Sequence, residues 1–177
     1  APARLLPTVR SRCRSLTMRP LADAIVEDLI ASQIAPGLDP QERGKLTSIA
    51  EGSPGRALAL AEQGGVELYE NLIGILSDLP NLDIRAIHDL GDRLARNDGA
   101  EAFHTLTGLL LWWLNHLVCD GAKFTPRRRI WEREDVLRRR LLAEGDLEHW
   151  AAVWEKLSRL FARAEAVNLD PKHVILN

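Results

Sequence analysis

The sequence has few residues suited to metal or disulfide chemistry. Its 177 residues include only two cysteines, Cys13 and Cys119, which lie far apart and outside any metal-ligand spacing. This pattern excludes a zinc site built from clustered cysteines. Two isolated thiols are typical of a reducing compartment, so we expect a cytoplasmic protein that binds no metal.

A large charge of one sign and long apolar runs are also lacking. The formal net charge of -2 gives no whole-molecule attraction to nucleic acid, so DNA contact would need a local basic patch or a partner. The most apolar stretch, from Leu106 to Val118, contains Asn115 and His116. It is shorter than the roughly 20 apolar residues of a membrane span, and we predict a buried core helix there. The arginine-rich start has no apolar run beside it, so we expect no signal peptide in this sequence.

The sequence also contains no phosphate-binding loop of the form G-x-x-x-x-G-K-[ST] and no acidic strand end for magnesium. We therefore expect that this chain alone neither binds nor hydrolyses ATP and is not an enzyme by itself. Because the first residue is Ala1 rather than Met, we interpret the chain as part of a longer protein.

Helical periodicity dominates what is present and predicts an all-α fold. Three short helices are expected before the Gly64-Gly65 break: one at about 21–33, one that stops at Gly52, and one that Ser53 caps with Pro54 in its first position. Longer helices should follow at 66–79, 84–96, 100–118, 128–143 and 146–166.

The start of the chain has a different pattern. Residues 4–11 carry apolar side chains at helical spacing. The segment from Cys13 to Met18 alternates apolar and polar residues, which predicts one half-buried strand that ends at Arg19-Pro20. We interpret Cys13 as a small buried packing residue rather than a nucleophile.

Two short motifs carry a family resemblance. They are Ser11-Arg12-Cys13 and Gly52-Ser53-Pro54-Gly55-Arg56-Ala57-Leu58, separated by two amphipathic helices. Together they resemble the clamp-loader branch of the AAA+ ATPases. The Gly-Ser-Pro-Gly form resembles the delta-prime subunits of bacterial DNA polymerase III, since gamma/tau subunits usually show Gly-Ser-Leu-Arg-Asp at this place.

The resemblance covers most of the chain and implies three parts. Residues 1–18 would be the tail of an AAA+ ATPase domain, 19–65 a three-helix lid domain, and 66–177 a helical collar domain that mediates oligomerisation. Within the tail, Ser15 to Met18 would be a strand inside a sheet of the full ATPase domain. Without that sheet we expect this stretch to be disordered, folded back on the helices or paired with another copy. The collar assignment depends on helix lengths and on the Asn168-Leu169-Asp170 ending. In the family the phosphate loop, or its degenerate remnant, lies N-terminal to the position of Ala1.

The resemblance also implies a function and a set of sites. The protein would join gamma/tau and delta subunits in a hetero-pentamer that loads the sliding clamp onto primed DNA, with no membrane partner. Arg12 would reach the γ-phosphate of ATP in the neighbouring subunit, so ATP would be that subunit's cofactor and this chain would hold none. Ser53 and Arg56 would lie near nucleotide, with Arg56 as a sensor.

For both arginines a simpler interpretation stays open. Arg56 falls in the first turn of a helix, where the macrodipole disfavours a cation unless an anion joins it, and backbone N–H groups there suit a phosphate. The alternative is an exposed arginine that tolerates this position. For Arg12 the alternative is a solvated arginine in a basic stretch.

Other clusters favour structural interpretations. Arginines between 127 and 140 are interleaved with acidic residues, so we expect i,i+4 pairs on an ordinary solvated helix rather than a DNA-binding face. His116 and Cys119 lack further metal ligands. Core or subunit-interface positions are predicted for four tryptophans: Trp112, Trp113, Trp150 and Trp154. Two alternative functions stay open: a helical protein-interaction module that uses the Trp-rich helix, and a gamma/tau-type ATPase subunit.

Overall fold

The computed structural model describes residues 8, 12–14, 16–81, 83–94, 99–123 and 132–167. Within these ranges the chain forms helices and no strand, which confirms the all-α prediction. A π-helical turn, Ile30–Ile34, directly continues the first helix. The eight α-helices of the described ranges are α1 (Asp23–Leu29), α2 (Pro40–Ala50), α3 (Pro54–Glu62), α4 (Gly65–Ser77), α5 (Ile84–Leu94), α6 (Gly99–Lys123), α7 (Glu132–Glu144) and α8 (Leu147–Ala166).

Side-chain caps explain why several helices begin where the sequence predicts. The Asp39 carboxylate accepts hydrogen bonds from two backbone N–H groups of the first turn of α2, at 2.7 and 3.0 Å, and Pro40 occupies the first helical position. Asp146 caps α8 in the same way by accepting from the His149 N–H at 2.7 Å. Each cap satisfies donors that the helix itself leaves unpaired.

Left-handed backbone conformations separate the early helices. Glu51 (φ 50°) and Gly52 (φ 77°) follow the end of α2, and Gly64 (φ 64°) lies between α3 and α4. Glycine adopts positive φ without steric cost, whereas Glu51 is a non-glycine residue in this region. The predicted Gly64-Gly65 break is confirmed, because α3 ends at Glu62 and α4 begins at Gly65.

One continuous hydrophobic core extends from α1 to α8. Trp113, Tyr69, Leu46 and Leu109 are among its fully buried members. Helix α4 contacts α2 and α3 on one side and α6 and α7 on the other, and α6 packs along α8. The proposed division near residue 65 into lid and collar stays a prediction.

The strand pattern at the start of the chain forms no strand over the residues that the structure describes, in line with the expectation that it pairs only within a sheet that this chain lacks. Residues 16–22 form neither helix nor strand, and Leu16 and Met18 are 82% and 83% exposed. Cys13 is exposed as well, so its assignment as a buried packing residue is wrong. A half-buried strand needs a neighbouring strand for its backbone groups, and the described ranges supply none.

Several sequence predictions fall on residues whose placement is not described. These are the 4–11 helix, apart from Thr8, the Ser11 position of the first motif, the Arg127-Arg128-Arg129 run, and the Asn168-Leu169-Asp170 ending. The start of the 128–143 helix also belongs here, whereas the rest of it corresponds to α7.

Gly52 anchors the chain segment that leads into α1. Its carbonyl accepts a hydrogen bond from the Leu21 N–H at 2.9 Å, and a Cβ on Gly52 would lie 2.6 Å from the Leu21 carbonyl oxygen. Together with its positive φ, this contact should make Gly52→Ala cost at least about 2 kcal/mol of unfolding free energy. Urea denaturation monitored by circular dichroism measures this change.

Gly44 provides the matched control for that substitution. It lies inside α2, and an added Cβ would meet nothing within 4 Å. Gly44→Ala should therefore stabilise the protein by about 0.5–1 kcal/mol, because alanine loses less backbone entropy in a helix. Equal effects of the two substitutions would contradict the role given to Gly52.

Candidate functional site

The N-terminus of α3 holds two of the residues that the sequence singles out. Ser53 precedes the helix in extended conformation, and its Oγ accepts a hydrogen bond from the Arg56 backbone N–H at 3.3 Å. The Ser53 N–H itself donates to the Ala50 carbonyl at 3.0 Å. Ser53 is therefore the predicted helix cap, and it places Arg56 in the first turn.

The Arg56 side chain is packed rather than fully solvated. Its guanidinium lies over the Trp112 ring, 5.1 Å from the ring centroid, and Nη1 is 3.8 Å from Glu51 Oε2. One third of the side chain is exposed. Burial lowers the pKa of Arg56, and the neighbouring Glu51 carboxylate acts in the opposite direction. The interpretation of Arg56 as a freely exposed arginine therefore does not hold.

Glu51 supplies the anion that a cation at this helix end requires. Its Oε2 accepts a hydrogen bond from the Trp112 indole N–H at 2.8 Å, and its Oε1 lies 3.0 Å from His116 Nε2. The His116 and Trp112 rings also meet edge to face, with centroids 4.6 Å apart. One carboxylate thus joins the end of α2, the first turn of α3 and two successive turns of α6.

A second polar cluster lies inside the core, centred on Glu134 of α7. Glu134 is 5% exposed, and its Oε1 accepts from the Trp113 indole N–H at 3.1 Å. Arg138 Nε is 3.1 Å from the same oxygen, and Arg138 Nη1 donates to Asp120 Oδ2 at 2.7 Å. Desolvation raises the pKa of Glu134, against the opposing effect of Arg138. Burial also raises the pKa of Tyr69, with the Glu134 charge acting in the same direction.

The arginines of α7 serve the fold. Arg138 is partly buried and forms the ion pairs just described. Arg140 donates from Nη1 to the Ser77 carbonyl at 3.0 Å and from Nη2 to the Leu76 carbonyl at 3.3 Å. A guanidinium at the end of α4 satisfies carbonyls that the helix leaves free. The prediction of an ordinary solvated helix is therefore wrong at Glu134 and Arg138, because this i,i+4 pair faces inward.

Four tryptophans contribute to the core or to its margin, as the sequence predicts. Trp113 is fully buried. The indole N–H of Trp150 donates to the Leu141 carbonyl, and that of Trp154 donates to the Leu111 carbonyl, each at 3.0 Å. With the Glu51 and Glu134 bonds, all four indole N–H groups have acceptors within the chain.

Arg12 lies apart from this packed region, on the exposed turn formed by residues 12–14. Its neighbours Cys13 and Arg14 are exposed too. The structure thus presents Arg12 to solvent, whereas Arg56 is held against Trp112 and Glu51. Ser53 and Arg56 share one helix end, as the motif predicts.

The sequence pattern does not predict the two partners of Arg56, Glu51 and Trp112. A glutamate directly before Gly52 at the predicted end of a helix hints at a left-handed terminus. No sequence signal shows that its carboxylate reaches Trp112 and His116, which are 61 and 65 positions further along the chain. His116 was considered only as a metal ligand and instead contacts a carboxylate.

Within the described ranges, no group of three or more His, Cys, Asp or Glu side chains is arranged to hold a metal ion. None of the helices described there is long and apolar enough to cross a membrane. Chemically, the Arg56 region offers a partly exposed cation beside one carboxylate, and Arg12 offers a solvent-facing cation.

Comparison of this chain with family models, with curated proteins and with solved structures finds no match.

Proposed function

We propose that this chain is the lid and collar part of a delta-prime-type clamp-loader subunit, which assists an ATPase in a neighbouring subunit. The observation that carries the proposal is the pair of motifs around Arg12 and Ser53. Helices α1 and α2 separate these motifs, and Ser53 caps α3. The order of short helices followed by longer ones suits a lid joined to a collar.

Arg12 is assigned the chemical role. An exposed arginine on a turn outside the core is free to reach the active site of an adjacent subunit. There it would neutralise the charge that develops on the transferring γ-phosphoryl group. The planar guanidinium fork suits phosphate oxygens better than an ammonium does, so the proposal requires arginine rather than any cation.

Ser53 and Arg56 are assigned the nucleotide-facing position on α3. One third of the Arg56 side chain is exposed and accessible to a phosphate. The Glu51 carboxylate, 3.8 Å away, is the anion that a phosphate would displace or share. The sensor role of Arg56 therefore depends on competition between an internal and an external anion.

The two alternatives receive less support. A protein-interaction module that uses the Trp-rich helix needs outward-facing tryptophans, but the indole N–H groups of Trp112 and Trp113 donate to internal carboxylates. A gamma/tau-type ATPase is disfavoured by the Gly52-Ser53-Pro54-Gly55 form.

Reconstitution tests the proposal. The chain is mixed with the gamma/tau and delta subunits of its own source organism, and the mixture is analysed by gel filtration and native mass spectrometry. We expect one complex of five subunits that contains this chain, whereas gamma/tau and delta mixed without it form a different assembly. Persistent elution of the chain as a separate species would reject the clamp-loader assignment.

A further inference from the structure

The left-handed backbone conformation of Glu51 is energetically unfavourable for a non-glycine residue. Glu51 is the only non-glycine residue with positive φ among the described residues, and it occupies the position after α2 where glycine is the usual choice. A strained residue persists only when surrounding contacts hold it in place. The contacts that hold Glu51 come from outside its own helix.

Those contacts join two groups of helices. Glu51 follows α2, and Trp112 and His116 belong to α6, which starts almost fifty residues later. Backbone packing between α1–α3 and α6–α8 runs chiefly through α4. The Glu51 carboxylate therefore adds a direct side-chain contact between two groups of helices whose backbones meet chiefly through α4. The Arg56–Trp112 and Gln63–Glu101 contacts also connect these groups directly.

Other polar bridges from the α1–α3 region to the later helices, α4 included, are more exposed. Lys45 of α2 pairs with Glu70 of α4, whose side chain is 44% exposed, and Gln63 donates to Glu101 at 2.6 Å on the exposed surface. Pairs of this kind contribute little, because water and salt screen them. The Glu51 bridge is different, since His116 is 8% exposed and the Trp112 bond is partly buried.

We propose that Glu51 is a joint that fixes the α1–α3 helices on the α4–α8 bundle and holds Arg56 over Trp112. Two donors from α6 converge on one carboxylate, and charge-assisted bonds of this kind are stronger than neutral ones. Any rotation of α1–α3 relative to α6 must break both contacts. This role of Glu51 follows from its contacts with Trp112 and His116 and does not depend on whether the chain is a clamp-loader subunit.

Replacing Glu51 with glycine distinguishes two roles: a residue that holds two groups of helices together, and a residue that only terminates α2. Glycine relieves the left-handed strain, so at an ordinary terminus Glu51→Gly would stabilise the protein or leave it unchanged. At a joint, the same substitution should raise the unfolded-to-folded ratio about tenfold, since two charge-assisted contacts are lost. Urea denaturation of the full chain measures this ratio.

Proton exchange reports directly on the two contacts. In Glu51→Gly the Trp112 indole N–H should lose its protection from hydrogen exchange. The Trp154 indole N–H, bonded to the Leu111 carbonyl at 3.0 Å, should keep its protection and serves as an internal control. Amides of α2 should also begin to exchange faster than those of α6, because α1–α3 can then open separately.

Two further variants complete the test. Glu70→Gln removes an exposed carboxylate of the other bridge and should change the unfolding ratio by less than about twofold. Glu51→Gln preserves an acceptor for Trp112. Its effect on the unfolded-to-folded ratio should lie between those of Glu51→Gly and Glu70→Gln. This variant also serves as the test if Glu51→Gly fails to fold. A stabilised Glu51→Gly protein, or unchanged Trp112 indole protection in both Glu51 variants, would show that Glu51 only terminates α2.

Discussion

Replacing Arg12 with alanine in the full-length protein, assembled with its partner subunits, should lower ATP turnover at the one adjoining site by about 10³–10⁵-fold. The guanidinium is proposed to stabilise charge on the γ-phosphoryl group, and no other residue of this chain is assigned that role. Folding and assembly should be unaffected, because an exposed arginine contributes little to stability. Total ATP turnover should fall by a smaller factor, since other sites have their own arginines. Clamp loading on primed DNA should fall more than total turnover.

Controls separate this effect from a general loss of positive charge. Arg14→Ala removes an exposed cation two positions after Arg12, and Arg10→Ala removes the arginine two positions before it. Both variants should load clamps at nearly the wild-type rate. Arg12→Lys should rescue poorly, because an ammonium does not reproduce the bidentate fork. Wild-type loading by Arg12→Ala, or equal damage from the neighbouring substitutions, would remove the basis for a trans-acting Arg12.

Removing the partly buried cation that pairs with the buried Glu134 of α7 should have the largest effect on stability. Arg138→Ala leaves Glu134 desolvated without its ion-pair partner and leaves Asp120 without its Arg138 bond. Breaking a buried pair in this way typically costs about 3–5 kcal/mol of unfolding free energy. Arg139→Ala, which removes an exposed neighbour, should change the free energy by less than about 0.5 kcal/mol. Similar losses for both variants in urea denaturation would contradict the buried-pair interpretation.

The same cluster predicts a dependence on pH. Desolvation raises the pKa of Glu134 above its ordinary value of 4.5, so the folded state binds this proton more tightly than the unfolded state. The stability gained from this proton is fully present below the unfolded pKa and is lost as pH rises through the folded pKa. Arg138 opposes the rise, so its removal raises the pKa further. The loss of unfolding free energy caused by Arg138→Ala should therefore be larger at about pH 7 than at about pH 4. In a Glu134→Gln background, this difference between the two pH values should disappear.

Much of the helical architecture is predictable from local sequence. Apolar spacing indicates the eight described α-helices, and Asp39, Ser53 and Asp146 mark starts that the structure confirms to within a few residues. These features are local, because a cap bonds to N–H groups two or three residues away. The strand pattern at Cys13 to Met18 is the opposite case, since it forms no strand over its described residues. Alternation predicts a strand only where another strand is available, and that condition is not local.

By itself, the sequence determined the all-α class, the helix caps and the Gly64-Gly65 break, since each depends on neighbours within one or two turns. Only the tertiary structure decided the surroundings of the polar side chains. The i,i+4 spacing of Glu134 and Arg138 is the same on a solvated face as in a core, and packing of α7 against α4 and α6 turned this pair inward. Likewise, the Arg56 guanidinium lies near Glu51 and over the Trp112 ring of α6. The contact with Trp112 joins residues far apart in the sequence, so no local pattern encodes it.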